Sequence, residues 1–181
     1  MASSISTRLK TNEVRFSFVK VFEKGQDDDK YSVAIMIDKS KKKLISAIEE
    51  AIKATYEANK DKLQGVKLSK CLEILKDADE EGGLAERYPE FEGCMYLNAR
   101  SIRKIPVLHK VGGVSLTTDE EFHSGDYGLA DLAFFAYNAE KNKGVGCAIN
   151  AIPRFINKVV GDHQPPCSNE FAPGMPPLAL R

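Results

Sequence analysis

The chain has no apolar run approaching the roughly 18 residues that a membrane span needs. Its first residues, Met1-Ala2-Ser3-Ser4-Ile5, lack the apolar block of a secretory signal. Neither sign of charge prevails: 26 Lys and Arg face 26 Asp and Glu. A uniformly basic, histone-like protein is excluded, but a locally basic groove is not, because net charge says nothing about how charges segregate. The four cysteines, Cys71, Cys94, Cys147 and Cys167, form no C-x-x-C pair. That argues against structural zinc. With nothing else suggesting secretion, they read as buried or free thiols of a cytosolic protein. His109, His123 and His163 share no short spacing that would mark a metal site. The Gly-rich phosphate loops are missing, and so is the G-x-S-x-G nucleophile elbow.

What is present suits one domain of ordinary size with a tail: 181 residues, 43% hydrophobic and 29% charged. Residues 13–22, EVRFSFVKVF, read as a strand with Val14, Phe16 and Phe18 on one face. Gly25 and Asp27-Asp28-Asp29 make a solvated hairpin loop. Residues 31–37 return as a strand with Tyr31, Val33, Ile35 and Ile37 on one side. The period then changes. Leu44, Ile45, Ile48, Ala51, Ile52, Thr55 and Tyr56 recur at helical spacing, with Asp38 or Ser40 as the expected cap. Lys41-Lys42-Lys43 reads as a solvated face.

Residues 64–93 are irregular, acidic and Gly-rich. From Cys94 the strands return. Met95, Leu97 and Ala99 alternate with Tyr96, Asn98 and Arg100. Residues 105–108 read as an edge strand because of Pro106. Further strands are expected over 129–138 and 145–152, with a turn at Asn142-Lys143-Gly144. Five of the eight prolines fall in the last seventeen residues, which marks a Pro-rich tail. The domain is therefore drawn at 1–161 and the tail at 162–181. Two strands, a helix and then several strands describe a mainly β fold, a small barrel with one helix, better than a doubly wound sheet.

The residues that could carry function are cations interleaved with aromatic rings. Binding a single strand without sequence preference needs cations along the backbone and ring faces for the bases. The stretch from Met95 to Thr118 holds Arg100, Arg103, Lys104 and Lys110 and no acid. Tyr96, Asn98 and Arg100 are expected on the solvent side of their strand. Tyr137 precedes Lys141 and Lys143, Phe155 lies beside Arg154 and Lys158, and Arg15 and Lys20 flank the first strand's phenylalanines. Phe16, Phe18, Phe134 and Phe135 are assigned to the core. The acids fall elsewhere, at Asp27–Asp29, Asp77–Glu92 and Asp119–Glu121.

Two other readings compete. Asp77 and Asp79 could hold Mg²⁺ in a nuclease, or the barrel could serve as a structural or adaptor protein with an exposed apolar interface. No cofactor or metal is expected.

The order of motifs, from about Glu13 to about Val160, resembles the phage-encoded single-stranded DNA-binding proteins of the OB-fold type. This is the Enc34-like group related to the phage T7 helix-destabilising protein. The resemblance rests on VRFSFVKVF, KYSVAIMIDKS, AIEEAIKATYE, YPEFEGCMYLNARSIRKIPVL, EEFHSGDYG and FFAYNAEKNKGVGCAINAI. The segments around NARS and around FFAYN and NKGVG are the most specific. It implies an OB-type barrel elaborated by a long helix and extended loops. It also implies a non-enzymatic protein that binds single-stranded DNA during phage replication or recombination in a host cytoplasm. Partners would be single-stranded DNA and, through the tail, replication or recombination proteins; a homo-oligomer is compatible, a membrane is not. Two departures stand out. The family tends to show Asp-Gly-Asp where this chain has Asp77-Ala78-Asp79. The T7-type acidic tail has no counterpart, since only Asp162 and Glu170 are acidic here.

Overall fold

The structure, a computed structural model, describes residues 6–109, 115–116 and 122–156. The expected tail at 162–181 and Lys110 lie outside the described residues. In chain order the strands are β1 (Arg8–Lys10), β2 (Val14–Lys20), β3 (Tyr31–Asp38), β4 (Lys76–Asp77), β5 (Cys94–Ser101), β6 (Val107–His109), β7 (Ser115–Leu116), β8 (Tyr127–Ala139) and β9 (Asn142–Ile156). The helices are α1 (Lys42–Ala58) and the short α2 (Leu68–Leu72).

Five of these strands close on themselves. β2 pairs with β3, β3 with β5, β5 with β9, β9 with β8, and β8 returns to β2. All pairings in the ring are antiparallel except β5 with β9. This is the five-stranded closure of an OB-type barrel. β1, β4 and the β6–β7 pair hang on its rims.

Alternation decides the interior. Phe16, Val33, Ile35, Ile37, Leu97, Ala99, Leu132, Phe134, Val145, Cys147 and Ile149 fill one cluster. α1 lays Leu44, Ile48, Ala51 and Ile52 on it, the stripe that the period predicts. Neither Asp38 nor Ser40 caps this helix. Lys41 holds the N-cap position without a side-chain cap, and Asp38 Oδ1 instead accepts the Ser40 N–H at 2.8 Å. Among the described cysteines, Cys71 and Cys147 are free and buried, whereas Cys94 is buried but not a free thiol.

Three further expectations are corrected here. Phe18 does not share the face of Phe16. The β2–β3 register shifts between Ser17 and Lys20, and Phe18 takes φ +48°, so its ring turns outward and is 40% exposed. Tyr96 does not face solvent. Parity puts it opposite Leu97 as expected, but residues 76–93 fold over that end of the sheet. Tyr96 is 8% exposed, in a second apolar cluster with Met36, Ala78, Phe91 and Cys94. Finally, β6 is not an edge strand. It lies between β9 and β7, with Pro106 just outside it offering its carbonyl to the Ile152 N–H at 2.8 Å.

Candidate nucleic-acid interface

On an OB barrel, the face of the second and third strands and the loops joining strands one to two and four to five receive oligonucleotides. Here these are the outer face of β3 and β5, the loop at 21–30 and the turn between β8 and β9. Three registers define what that face presents. Lys20 stands opposite Ser32, Ser32 opposite Arg100, and Ala34 opposite Asn98. Lys20, Asn98 and Arg100 are exposed. The face continues onto β9 and β8, where Arg100 aligns with Ala148, Gly146 lies opposite Phe135 and Gly144 opposite Tyr137.

The two glycines shape the site. A Cβ on Gly146 would stand 2.7 Å from Phe135 Cζ, and one on Gly144 would stand 2.9 Å from Tyr137 Oη. The rings therefore lie down on bare backbone, their centroids 6.5 Å apart. Phe135 is 46% exposed and Tyr137 is half-buried. Beside them opens a cleft of about 750 Å³ lined by Lys30, Lys76, Asn98, Arg100, Phe135 and Tyr137, among others. Asn142 belongs both to this cleft and to a smaller hollow of about 280 Å³ that holds Lys141, Lys143 and Lys70. Rings, an amide and cations thus share one surface, the combination that sequence-tolerant binding of a single strand requires.

The expected site residues divide as follows. Asn98, Arg100 and Tyr137 line the cleft, and Lys141 and Lys143 line the adjoining hollow. Arg103 and Lys104 are exposed on the loop that leaves β5, beside Ile102, which is 73% exposed. Lys20 extends the Arg100 row onto β2. Arg15 is engaged elsewhere: its Nε donates to the Gly125 carbonyl at 3.0 Å and its guanidinium sits 5.6 Å from the Tyr127 ring centre. Tyr96 is under the 76–93 cover. Burial, then the nearby Glu80, raises its phenol pKa. The side chain of Phe155 lies outside those described. Its backbone pairs with Gly128, at the opposite end of β9 from Gly146.

The sequence reading missed Lys30, Lys76 and above all Phe135, which it placed in the core. The signal was available. Phe135 has the parity of Tyr137 rather than of Phe134, whereas the hairpin turns at Glu140-Lys141 and not at the expected Asn142-Lys143-Gly144, which lies in β9 opposite Tyr137, Asn138 and Ala139. The acids are also closer than expected. Asp28 Oδ2 lies 3.4 Å from Arg100 Nη1, both side chains being well exposed.

Asp77 and Asp79 do not form an open carboxylate pair. Lys39 Nζ lies 2.6 Å from an oxygen of each, and Asp79 also accepts the Gly93 N–H at 3.0 Å. The bond from Lys39 chiefly lowers the Asp79 pKa. Among the described residues no group of three or more His, Cys, Asp or Glu side chains could hold a metal ion, and no helix is long and apolar enough to cross a membrane.

Solved structures share this architecture. The single-stranded DNA-binding protein of bacteriophage Enc34, in complex with single-stranded DNA, superposes with a TM-score of 0.69 at 21% identity, covering 80% of this chain and 84% of that one. A C-terminal truncation of the same phage protein gives 0.72 at 20% identity, covering 88% of each chain. The single-stranded DNA-binding protein gp2.5 of bacteriophage T7 gives 0.54 at 10% identity, over 86% of this chain and 90% of that one. No curated protein sequence matches the chain. The family model described as the single-stranded DNA-binding protein of Enterobacter phage Enc34 matches residues 7–162. Spanning the whole barrel and its extensions, that match assigns the chain to the Enc34 family of phage single-stranded DNA-binding proteins.

Proposed function

We propose that the chain binds single-stranded DNA without sequence preference, through the outer face running from β3 and β5 onto the β8–β9 hairpin, in phage DNA replication and recombination within the host cytoplasm. The observation that carries this reading is the Phe135–Tyr137 platform. Two neighbouring rings lie on glycine backbone beside a cleft lined by Lys30, Lys76 and Arg100. Bases stack on the rings, worth about 1–3 kcal/mol each. Phosphates meet Arg100, Lys30 and Lys76 in the cleft, Lys141 and Lys143 at its end, and Lys20, Arg103 and Lys104 on its margins. The protein coats strands and does no chemistry on them. The occupation of Asp77 and Asp79 by Lys39 supports this over a nuclease, since Mg²⁺ would first have to displace the lysine.

Fluorescence anisotropy with labelled oligo-dT and a matched duplex, across salt, tests the reading. The single strand should bind far tighter, and log affinity should fall against log salt by about 0.7 per phosphate neutralised. Equal affinity for the duplex, or none for either, removes the proposal. The tail beyond Asp162 is assigned to protein partners. Truncation there should leave oligo-dT affinity per folded molecule unchanged by anisotropy.

A further inference from the structure

We propose that Phe18 and Tyr88 form a second base-stacking station for the same strand, on the other side of Arg100 from Phe135 and Tyr137. This rests on the single-strand reading above and extends it.

Three observations point there. First, strict alternation on β2 would have buried Phe18 beside Phe16. The bulge and a φ of +48° present it to solvent instead, 40% exposed. A bulky residue pays for that conformation, and bulges commonly re-aim a side chain next to a functional surface. Second, Tyr88 meets it edge-on with ring centres 5.1 Å apart and is itself 37% exposed. Its backbone is held by a 2.8 Å bond from its N–H to the Leu84 carbonyl and by the extended geometry that Pro89 favours. Phe91, fully buried, backs both rings: it stacks on Phe18 at 5.7 Å and lies 6.3 Å from Tyr88. The pair is thus fixed before any ligand arrives. Shielding Phe91 explains the contacts the rings make, but not the surface they leave in solvent.

Third, the station is continuous with the cleft. Lys20, Ser32 and Arg100 stand in register across β2, β3 and β5. At the usual spacing of neighbouring strands, Lys20 and Arg100 are about 10 Å apart. A strand whose bases stack on Phe135 and Tyr137 can lay its phosphates along this row and bring a further base to Phe18. Arg87 is exposed beside Tyr88, but so are Glu86 and Glu92 nearby. The local charge is therefore more acidic than basic, so this station takes the ring of a base and leaves the phosphates to Lys20 and Arg100.

The chain contains no tryptophan, so Tyr88→Trp installs a single reporter. Its emission should be quenched by an oligo-dT of about 12 nucleotides, within the range of OB-fold site sizes. Phe18→Leu keeps an apolar packing group but removes the π-face. It should weaken the 12-mer by roughly 5- to 100-fold, the equivalent of one stacked base, and leave a 4-mer held in the cleft unaffected. If the wild-type chain binds the 12-mer while neither the emission of Tyr88→Trp nor the affinity of Phe18→Leu changes, the second station is wrong and the single-strand reading stands. Equal weakening of both lengths also overturns the station, since it reports general disruption. If the wild-type chain binds neither length, the underlying reading falls and the station with it. Should Phe18→Leu not fold, the Tyr88→Trp quench decides alone.

Discussion

Phe135 and Tyr96 exchange the roles that composition suggests, and the exchange is testable residue by residue. Phe135→Ala and Tyr137→Ala should weaken oligo-dT binding by about 1–3 kcal/mol each, with little change in melting or in salt slope, because stacking releases no counterion. Tyr96→Ala should do the reverse. Removing a buried ring that packs 5.7 Å from Phe91 should cost on the order of 3 kcal/mol of stability in denaturant unfolding. Per folded molecule, DNA affinity should be retained. Asp28→Asn adds a third measurement. The carboxylate pairs with Arg100, so a phosphate must compete with it. Exposed pairs are weak, so affinity by anisotropy should rise only about two- to fivefold. Parity was fully legible in the sequence: Tyr96 does share a face with Asn98 and Arg100. What covers one end of that face was not, because the segment that does so has no period of its own to read.

At the scale of elements, periodic segments announced themselves and rim segments did not. α1 buries the stripe its spacing predicts, and β3 buries Val33, Ile35 and Ile37 as expected but also Ala34 and Met36 on its other face, which alternation alone does not announce. The β2 bulge reverses the faces expected beyond Ser17, and no local turn residue betrays it. β6 looked like an edge because of Pro106, yet the proline stands before the strand and the missing N–H costs nothing there. The rim pairing of β1 with β8 gives an acid-sensitive point. Asp131 accepts a bidentate bond from Arg8, at 2.9 and 2.6 Å, which is the main cause of its lowered pKa; burial acts the other way. Its ionised form is thus favoured by folding. The resulting stability is present above the unfolded carboxyl pKa, about 3.9. It is lost as pH falls through the lower folded value. Asp131→Asn should lower the melting temperature at neutral pH and flatten its decline below about pH 4.

For the whole molecule, a formal charge of zero coexists with a cationic path because neighbours in sequence are not neighbours in space. Lys141 and Lys143 share one hollow with Lys70, from a distant part of the chain. Lys141→Gln with Lys143→Gln should reduce the magnitude of the log–log salt slope by about 1.4, the share of two phosphates on a single strand. The order of elements favoured a small barrel over a doubly wound sheet, and the resemblance made that barrel an OB-type one. The glycines beneath the Phe135 and Tyr137 rings carry a consequence for how such a chain can change over time. Any side chain at Gly146 would prop Phe135 off the sheet, and any at Gly144 would do the same to Tyr137. A ring here and a glycine there are therefore inherited as one character. A lineage that keeps the aromatic must keep the bare backbone opposite, and one that fills the glycine is freed to lose the ring.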